Sequence, residues 1–100
     1  MCAVYLKVLT AAMEISEGTY RIQGLSVVEI AQQFGTPLYV YDGSKIASQI
    51  RSLKTAFSDA DVKVKYAAKA LTNLSILKLI RKHGAGIEVV SLEEAAIAMK

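Results

Sequence analysis

The feature that most constrains the fold of this chain is a regular alternation of strand-like and helix-like segments over residues 36–100. Short runs rich in β-branched and aromatic residues are each followed by apolar residues at helical spacing, such as Ile50, Leu53 and Phe57. Strands and helices that alternate in this way form a parallel sheet with right-handed crossovers. The sequence therefore predicts an α/β fold, either doubly wound or built as a (β/α)8 barrel.

Capping residues and glycines predict the ends of these segments. The predicted strands are 36–41, 62–66 and 87–90, and the helices that follow them begin after Asp42, after Thr72 or Asn73, and after Ser91. The first of these helices is predicted to end at about Ala56. Ser91 and Glu94 form a Ser-x-x-Glu capping box for the last one.

Residues 1–35 are predicted to form a lead-in with a short strand and a short helix. Thr19–Gln23 alternates polar and apolar residues, as a half-exposed strand does. Ser26 and Glu29 form a capping box for a helix that Gly35 ends. The apolar run that opens the chain is either a strand or irregular.

The length of the chain limits how much of a barrel it can hold. A complete barrel takes roughly 250 residues, so these 100 residues are expected to contain only its opening units. We therefore divide the chain into a lead-in, 1–35, and the first β/α units, 36–100.

Composition excludes several classes of partner. Hydrophobic residues make up 53% of the chain and charged residues 21%, as in a packed globular domain. The net charge of +3 is spread along the chain, without the basic patches and interleaved aromatics that bind nucleic acids. Cys2 is the single cysteine, and the opening apolar run is broken by Lys7 and too short to span a bilayer. We expect a cytoplasmic protein with no nucleic-acid or membrane partner.

Three polar residues lie at or just after the ends of predicted strands, where α/β folds gather their chemistry: Asp42, Lys69 and Ser91. Lys69 is the strongest candidate, because small alanines flank it and a close apolar setting favours a neutral, nucleophilic amine. The alternatives to a nucleophilic Lys69 are a lysine that is only a surface charge and one that binds a phosphate group. Strict alternation also puts Lys69 on the same face of the strand as Lys63 and Lys65, which argues against a core-facing Lys69. We therefore suppose that Lys63 and Lys65 lie at the exposed entrance of the strand.

The other ionisable residues have structural explanations beside chemical ones. Glu88 lies within the third predicted strand, and it either pairs with Lys69 on the adjacent strand or faces solvent at a sheet edge. The capping box explains Glu94, and the negative end of a helix dipole explains His83. Because His83 is the single histidine and no Cys/His cluster occurs, no metal site is predicted.

Two segments of the chain resemble one family of enzymes. TPLYVYD at residues 36–42 is similar to an early motif of the diaminopimelate decarboxylases. KYAAKA at 65–70, followed by GAG at 84–86 and VVS at 89–91, resembles the cofactor-lysine region of the same family. These are alanine-racemase-like, fold-type III enzymes that use pyridoxal 5'-phosphate (PLP). The resemblance covers residues 18–100 and implies a PLP-binding (β/α)8 barrel of the TIM type.

The resemblance also implies roles for three residues. Lys69 would be the catalytic lysine that holds PLP as a Schiff base, with Ala67 and Glu88 as further cofactor contacts. Glu88 stands where the family usually has an aspartate, and its implied role is an ion pair with Lys69. The implied activity is decarboxylation of the small amino acid meso-diaminopimelate to lysine, in lysine biosynthesis, by an enzyme that is a homodimer at full length.

Two alternatives remain. A related fold-type III decarboxylase acting on ornithine, arginine or carboxynorspermidine would share these motifs, and Leu92 and Glu93 replace two glycines of the family's Ser-Gly-Gly-Glu. A non-catalytic, truncated piece of barrel would instead pair its exposed sheet edge with another chain. Because the family's other PLP-binding and substrate-binding parts follow residue 100, we expect the chain alone to be an inactive N-terminal portion.

Overall fold

The structure of the protein, a computed structural model, describes residues 2–6 and 13–100. Its strands are β1 (Cys2–Leu6), β2 (Glu14–Ser16), β3 (Thr19–Ile22), β4 (Leu25–Ser26), β5 (Leu38–Asp42), β6 (Lys65–Ala67) and β7 (Gly86–Glu88). Its helices are α1 (Val27–Phe34), α2 (Gly43–Ala56), α3 (Leu74–Lys82) and α4 (Leu92–Ala98), and a 3₁₀ turn spans Ala68–Ala70. The strands and helices alternate from β5 to α4, which confirms the predicted α/β class. The chain forms two compact units, Met1–Lys45 and Ile46–Lys100.

The first unit contains a parallel strand pair and an antiparallel meander. β1 pairs with β5 in parallel, with Cys2 opposite Leu38. β2, β3 and β4 form the meander, whose two turns are centred on Glu17–Gly18 and Gln23–Gly24. All four of these residues have positive φ, as two-residue type I′ hairpins require. The opening apolar run is thus partly the strand β1, and residues 7–12 lie outside the described residues.

α1 begins and ends where its capping residues predict. The Ser26 hydroxyl accepts a hydrogen bond from the Val28 N–H at 3.2 Å, so the bond falls one residue short of the Glu29 N–H expected for a capping box. Gly35 follows the last helical residue with a φ of 81°. Ile30 is the buried side chain of this helix, and it anchors α1 in the small core of the first unit.

The second unit is built around the parallel pair β6–β7, which α3 connects. The register runs from Lys65 opposite Gly86 to Ala67 opposite Glu88. The buried apolar side chains of this unit are Ala47, Ile50, Ala68, Ile76, Leu77, Leu79, Ile80 and Ala85. Half of them belong to α3, so this helix supplies most of the core beneath the strand pair. Because the two strands are parallel, their carboxyl ends share one edge of the sheet.

The predicted strands differ from the observed ones mainly at their ends. β5 covers 38–42 instead of 36–41, β6 covers 65–67 instead of 62–66, and β7 covers 86–88 instead of 87–90. Pro37 has no N–H to give to a neighbouring strand, so pairing starts after it. The β6–β7 ladder extends one bond further, from the Gly86 N–H to the Val64 carbonyl at 2.9 Å, and residues before it have no partner strand in the described ladder.

α2 ends at Ala56, as predicted, but its apolar stripe reaches the core only as far as Ile50. Ile50 is 7% exposed, whereas Leu53 is 46% and Phe57 50% exposed. An apolar helix face is buried only where another element covers it. α2 has 14 residues, and among the described residues no helix is both long and apolar enough to cross a bilayer.

Candidate cofactor-binding site

Lys69 lies in the 3₁₀ turn that directly follows β6. The strand ends at Ala67, the next residue, Ala68, is fully buried, and Lys69 is exposed. The predicted close apolar setting of the Lys69 side chain is therefore wrong for the described part of the chain. The reason is local, because the turn uses Ala68 to fill the core and leaves the following residue outside.

The alternation that would group Lys69 with two other lysines stops before it reaches this residue. It ends with β6 at Ala67, and the 3₁₀ turn sets the direction of the Lys69 side chain instead. Lys63 precedes β6 and Lys65 is its first residue, and both are exposed. These two lysines thus belong to an exposed strand entrance, as predicted.

The backbone of the Lys69 turn is held by hydrogen bonds on both sides. The Ala68 carbonyl accepts one bond from the Leu71 N–H at 3.1 Å and another from the Thr72 hydroxyl at 2.9 Å. The Tyr66 hydroxyl donates to the Leu71 carbonyl at 3.4 Å. The path of the chain through Lys69 is therefore fixed both by the preceding strand and by the segment that leads into α3.

α3 begins immediately after this segment, with Asn73 as its cap. The Asn73 side chain accepts hydrogen bonds from the N–H groups of Ser75 at 3.0 Å and Ile76 at 3.2 Å. Of the two predicted caps, Asn73 thus fills the role, while the Thr72 hydroxyl bonds back to the preceding turn. The positive end of the α3 dipole consequently lies beside the chain that leaves the Lys69 turn.

Glu88 belongs to the neighbouring strand, as predicted, but it lies at the end of that strand and not in its middle. It is the last residue of β7 and is opposite Ala67 in the parallel register. Glu88 and Lys69 therefore leave the same edge of the strand pair. Both are exposed, and no ion pair joins them in the described part of the chain.

Asp42, the candidate at the end of β5, is used to build the first unit. Its Oδ1 atom accepts hydrogen bonds from the Gln23 side-chain amide and from the Lys45 N–H, the latter at 3.0 Å. Asp42 is 8% exposed and Gln23 is 4% exposed. The bond to Lys45 is the predicted helix cap for α2, and the bond to Gln23 was not predicted.

Ser91 and Glu94 form the predicted capping box at the start of α4. The Ser91 hydroxyl accepts from the Glu94 N–H at 3.1 Å, and the Glu94 carboxylate accepts from the Val90 N–H at 2.9 Å. His83 follows α3 as its C-terminal cap residue, as predicted for a helix-end charge. The hydrogen bonds given for Ser91, Glu94 and His83 therefore cap helices.

Sequence reasoning missed the roles of Tyr66, Thr72 and Gln23. Gln23 bonds to a residue 19 positions away, and Tyr66 bonds to a backbone carbonyl, and neither partner is encoded in a residue-type pattern. Thr72 did carry a local signal. Its hydroxyl lies four residues after Ala68, the spacing at which threonine bonds back to an earlier carbonyl.

Residues 43–100 match a family model described as the pyridoxal-binding domain of pyridoxal-dependent decarboxylases. The match includes β6, the Lys69 turn, α3 and β7. The carboxyl ends of parallel strands are where α/β barrels place their active sites, and Lys69 lies directly after such an end. The chain belongs to the pyridoxal-dependent decarboxylase family.

Within that family, several similar proteins are diaminopimelate decarboxylases. The enzyme from Aquifex aeolicus is 40% identical over 95 residues, which are 95% of this chain and 22% of that protein. The enzyme from Methanothermobacter thermautotrophicus is 40% identical over 85 residues, which are 83% of this chain and 20% of that protein. The chain thus spans about a fifth of the length of the curated relatives it matches.

Solved structures give the same result. A crystal structure from Aquifex aeolicus matches with a TM-score of 0.81 at 40% identity, over 87% of this chain and 21% of that one. Diaminopimelate decarboxylase from M. jannaschii in complex with L-lysine matches with a TM-score of 0.74 at 37% identity, over 88% and 22% of the two chains. The strand and helix units of this chain are therefore the opening units of a PLP-binding barrel.

Proposed function

We propose that this chain is the N-terminal part of a PLP-dependent decarboxylase that converts meso-diaminopimelate to lysine in the cytoplasm. The observation that carries the proposal is the exposed Lys69 at the carboxyl end of β6, in a segment that matches a pyridoxal-binding domain. Relatives at 35–40% identity are diaminopimelate decarboxylases, which favours this substrate. We propose a homodimer for the longer enzyme, as the resemblance to the family implies.

The residues around Lys69 are compatible with covalent attachment of an aldehyde cofactor. Its amine is exposed and makes no hydrogen bond or ion pair with the described residues, so a carbonyl carbon can approach it. Ala67 and Ala70 have one-carbon side chains that leave room beside the lysine for a planar ring. When bound, PLP supplies a ring that accepts the electrons released by the departing carboxylate.

In this proposal the Glu88 carboxylate forms an ion pair with the Lys69 ammonium in the longer enzyme, a contact that the described part of this chain does not make. Glu88 is opposite Ala67, across one strand spacing of about 4.8 Å. Lys69 lies two residues beyond Ala67, and its long side chain can bend back across that distance. The small Ala67 between them is proposed to border the cofactor ring.

Trapping with borohydride tests the role of Lys69. The protein is incubated with PLP, its visible absorbance is recorded, and the labelled lysine is located by peptide mass mapping after reduction. We expect a band at the blue edge of the visible, a stronger label on Lys69 than on Lys65, and in Lys69→Ala the loss of that label and of most of the band. Lys65→Ala is the matched control, because Lys65 is exposed four residues earlier and its removal should change neither. A band of parental intensity in Lys69→Ala, or a label on Lys69 no stronger than that on Lys65 in the parent protein, would reject the assignment.

Decarboxylation of ornithine or arginine is the second candidate, because the matching model is described for pyridoxal-dependent decarboxylases in general. The longer protein that contains this chain is assayed for CO₂ release from meso-diaminopimelate, ornithine and arginine. We expect the highest kcat/KM for meso-diaminopimelate, and a higher value for either other amino acid selects the second candidate. CO₂ release by residues 1–100 alone would contradict the proposal that they are one part of the enzyme.

A further inference from the structure

We infer that Thr72 and Tyr66 are positioning residues that fix the direction in which Lys69 leaves its turn. The inference deepens the proposed function and rests on it, because Lys69 is the group that they position. Neither side chain has to touch the cofactor or the substrate. Thr72 bonds to the Ala68 carbonyl before Lys69, and Tyr66 bonds to the Leu71 carbonyl after it.

The Lys69 turn needs support from outside because a 3₁₀ turn of three residues is weak by itself. Its closing bond, from the Leu71 N–H to the Ala68 carbonyl at 3.1 Å, has the poorer geometry of this helix type. The Thr72 hydroxyl adds a second bond to the same carbonyl at 2.9 Å. Ala68 has no exposed surface, whereas Thr72 is exposed, so this bond joins a buried carbonyl to a hydroxyl at the surface of the unit.

Tyr66 supports the part of the backbone that follows Lys69. From its half-buried position in β6, its hydroxyl reaches the Leu71 carbonyl at 3.4 Å. The Ala68 carbonyl directly before Lys69 and the Leu71 carbonyl two residues after it each accept a bond from a side chain, one from the segment before α3 and one from the strand. The Lys69 side chain itself is exposed, so within the described residues its restraint comes from the backbone.

Loss of either bond should widen the range of directions that the Lys69 amine samples. Direction matters here, because an amine attacks a carbonyl carbon efficiently only from about 3–3.5 Å and along an aligned approach. A turn that is free to rotate spends less time in that geometry. The effect should be confined to Lys69 and should leave other exposed lysines as reactive as before.

Three variants separate this role from a general effect on folding. Thr72→Val removes the hydroxyl and keeps the side-chain shape, Thr72→Ser keeps the hydroxyl, and Tyr66→Phe removes one oxygen atom. Each protein is treated briefly with PLP and borohydride, and the label on Lys69 is divided by the label on Lys65 in the same sample. Hydrogen exchange at the Leu71 amide is measured in parallel without PLP.

We expect Thr72→Val to speed exchange at the Leu71 amide by about fivefold, the effect of one half-buried hydrogen bond. The ratio of Lys69 to Lys65 label should fall severalfold in Thr72→Val and less in Tyr66→Phe, whose bond is longer. Thr72→Ser should restore the parent ratio. If Thr72→Val does not fold, the ratio of Lys69 to Lys65 label in Tyr66→Phe tests the inference instead.

An unchanged ratio in both Thr72→Val and Tyr66→Phe would overturn the inference and leave the proposed function standing. If Lys69 is not labelled in the parent protein, the proposed function fails instead. In that case only the exchange rate of the Leu71 amide tests whether Thr72 supports the turn. An unchanged rate in Thr72→Val would show that it does not, and a faster rate would show that it does.

Discussion

Gln23 and Asp42 form a buried polar pair within the first unit. Gln23 has a φ of 52°, a conformation that costs energy for a residue with a Cβ atom. Asparagine, aspartate or glycine is the usual choice at this position of a type I′ turn. The hydrogen bond from its side chain to Asp42 gives the glutamine at this position a structural role in the first unit.

Removal of the Gln23 side chain should therefore destabilise the protein. In Gln23→Ala, the buried Asp42 carboxylate loses one of its two recorded donors, at a cost of about 1–3 kcal/mol. Urea unfolding measures the change in the free energy of unfolding. Gln33→Ala is the control, because Gln33 is exposed on α1 and its loss should change stability by no more than about 0.5 kcal/mol. Equal effects of the two substitutions would show that the buried bond contributes nothing.

Helices and strands differ in how well their ends could be predicted. α2 ends at Ala56, and Ser91 and Glu94 make the predicted capping bonds, because helix ends depend on residues a few positions apart. Strand ends depend on a partner elsewhere in the chain. β6 is only three residues long because that is the length over which β7 pairs with it, a fact that no local pattern in the sequence contains.

The capping box of α4 gives a direct comparison of two adjacent acidic residues. Glu93 and Glu94 both lie in the first turn, where either charge favours the helix dipole. Only Glu94 also accepts a bond, from the Val90 N–H. We expect Glu94→Ala to speed hydrogen exchange at the Val90 amide roughly fivefold, for a loss of about 1 kcal/mol.

Glu93→Ala removes the same charge from the same turn without removing that bond. Exchange at the Val90 amide should therefore stay within about twofold of the parent rate in this variant. If both variants accelerate exchange equally, charge alone stabilises the start of α4, and the capping bond makes no measurable contribution.

For the whole molecule, the alternation of strands and helices was enough to predict the α/β class and the strand edge that carries Lys69. The parallel pairing of β1 with β5 was not predicted, because it joins residues 36 positions apart. The exposure of Lys69 was missed for a related reason. The flanking alanines predicted an apolar setting, but the 3₁₀ turn buries only Ala68 and leaves Lys69 and Ala70 exposed.

Deletion of residues 1–6 tests the pairing of β1 with β5. Without β1, the N–H groups of β5 lose the parallel partner recorded for them, and hydrogen exchange over residues 38–42 should rise by at least about tenfold. Residues 65–67 serve as the internal reference, because they pair with β7 in the other unit. Unchanged exchange over 38–42 would contradict the recorded pairing.

The two tight turns of the meander also bear on the order in which the first unit folds. β2, β3 and β4 lie within 13 residues, so their hairpins can form in about 1–10 μs without any distant contact. Pairing of β1 with β5 must close a much longer loop, at an entropic cost that rises with the logarithm of its length. A meander that is already folded shortens the flexible part of that loop. We therefore expect the local hairpins to come first and to make the distant strand pair easier to close.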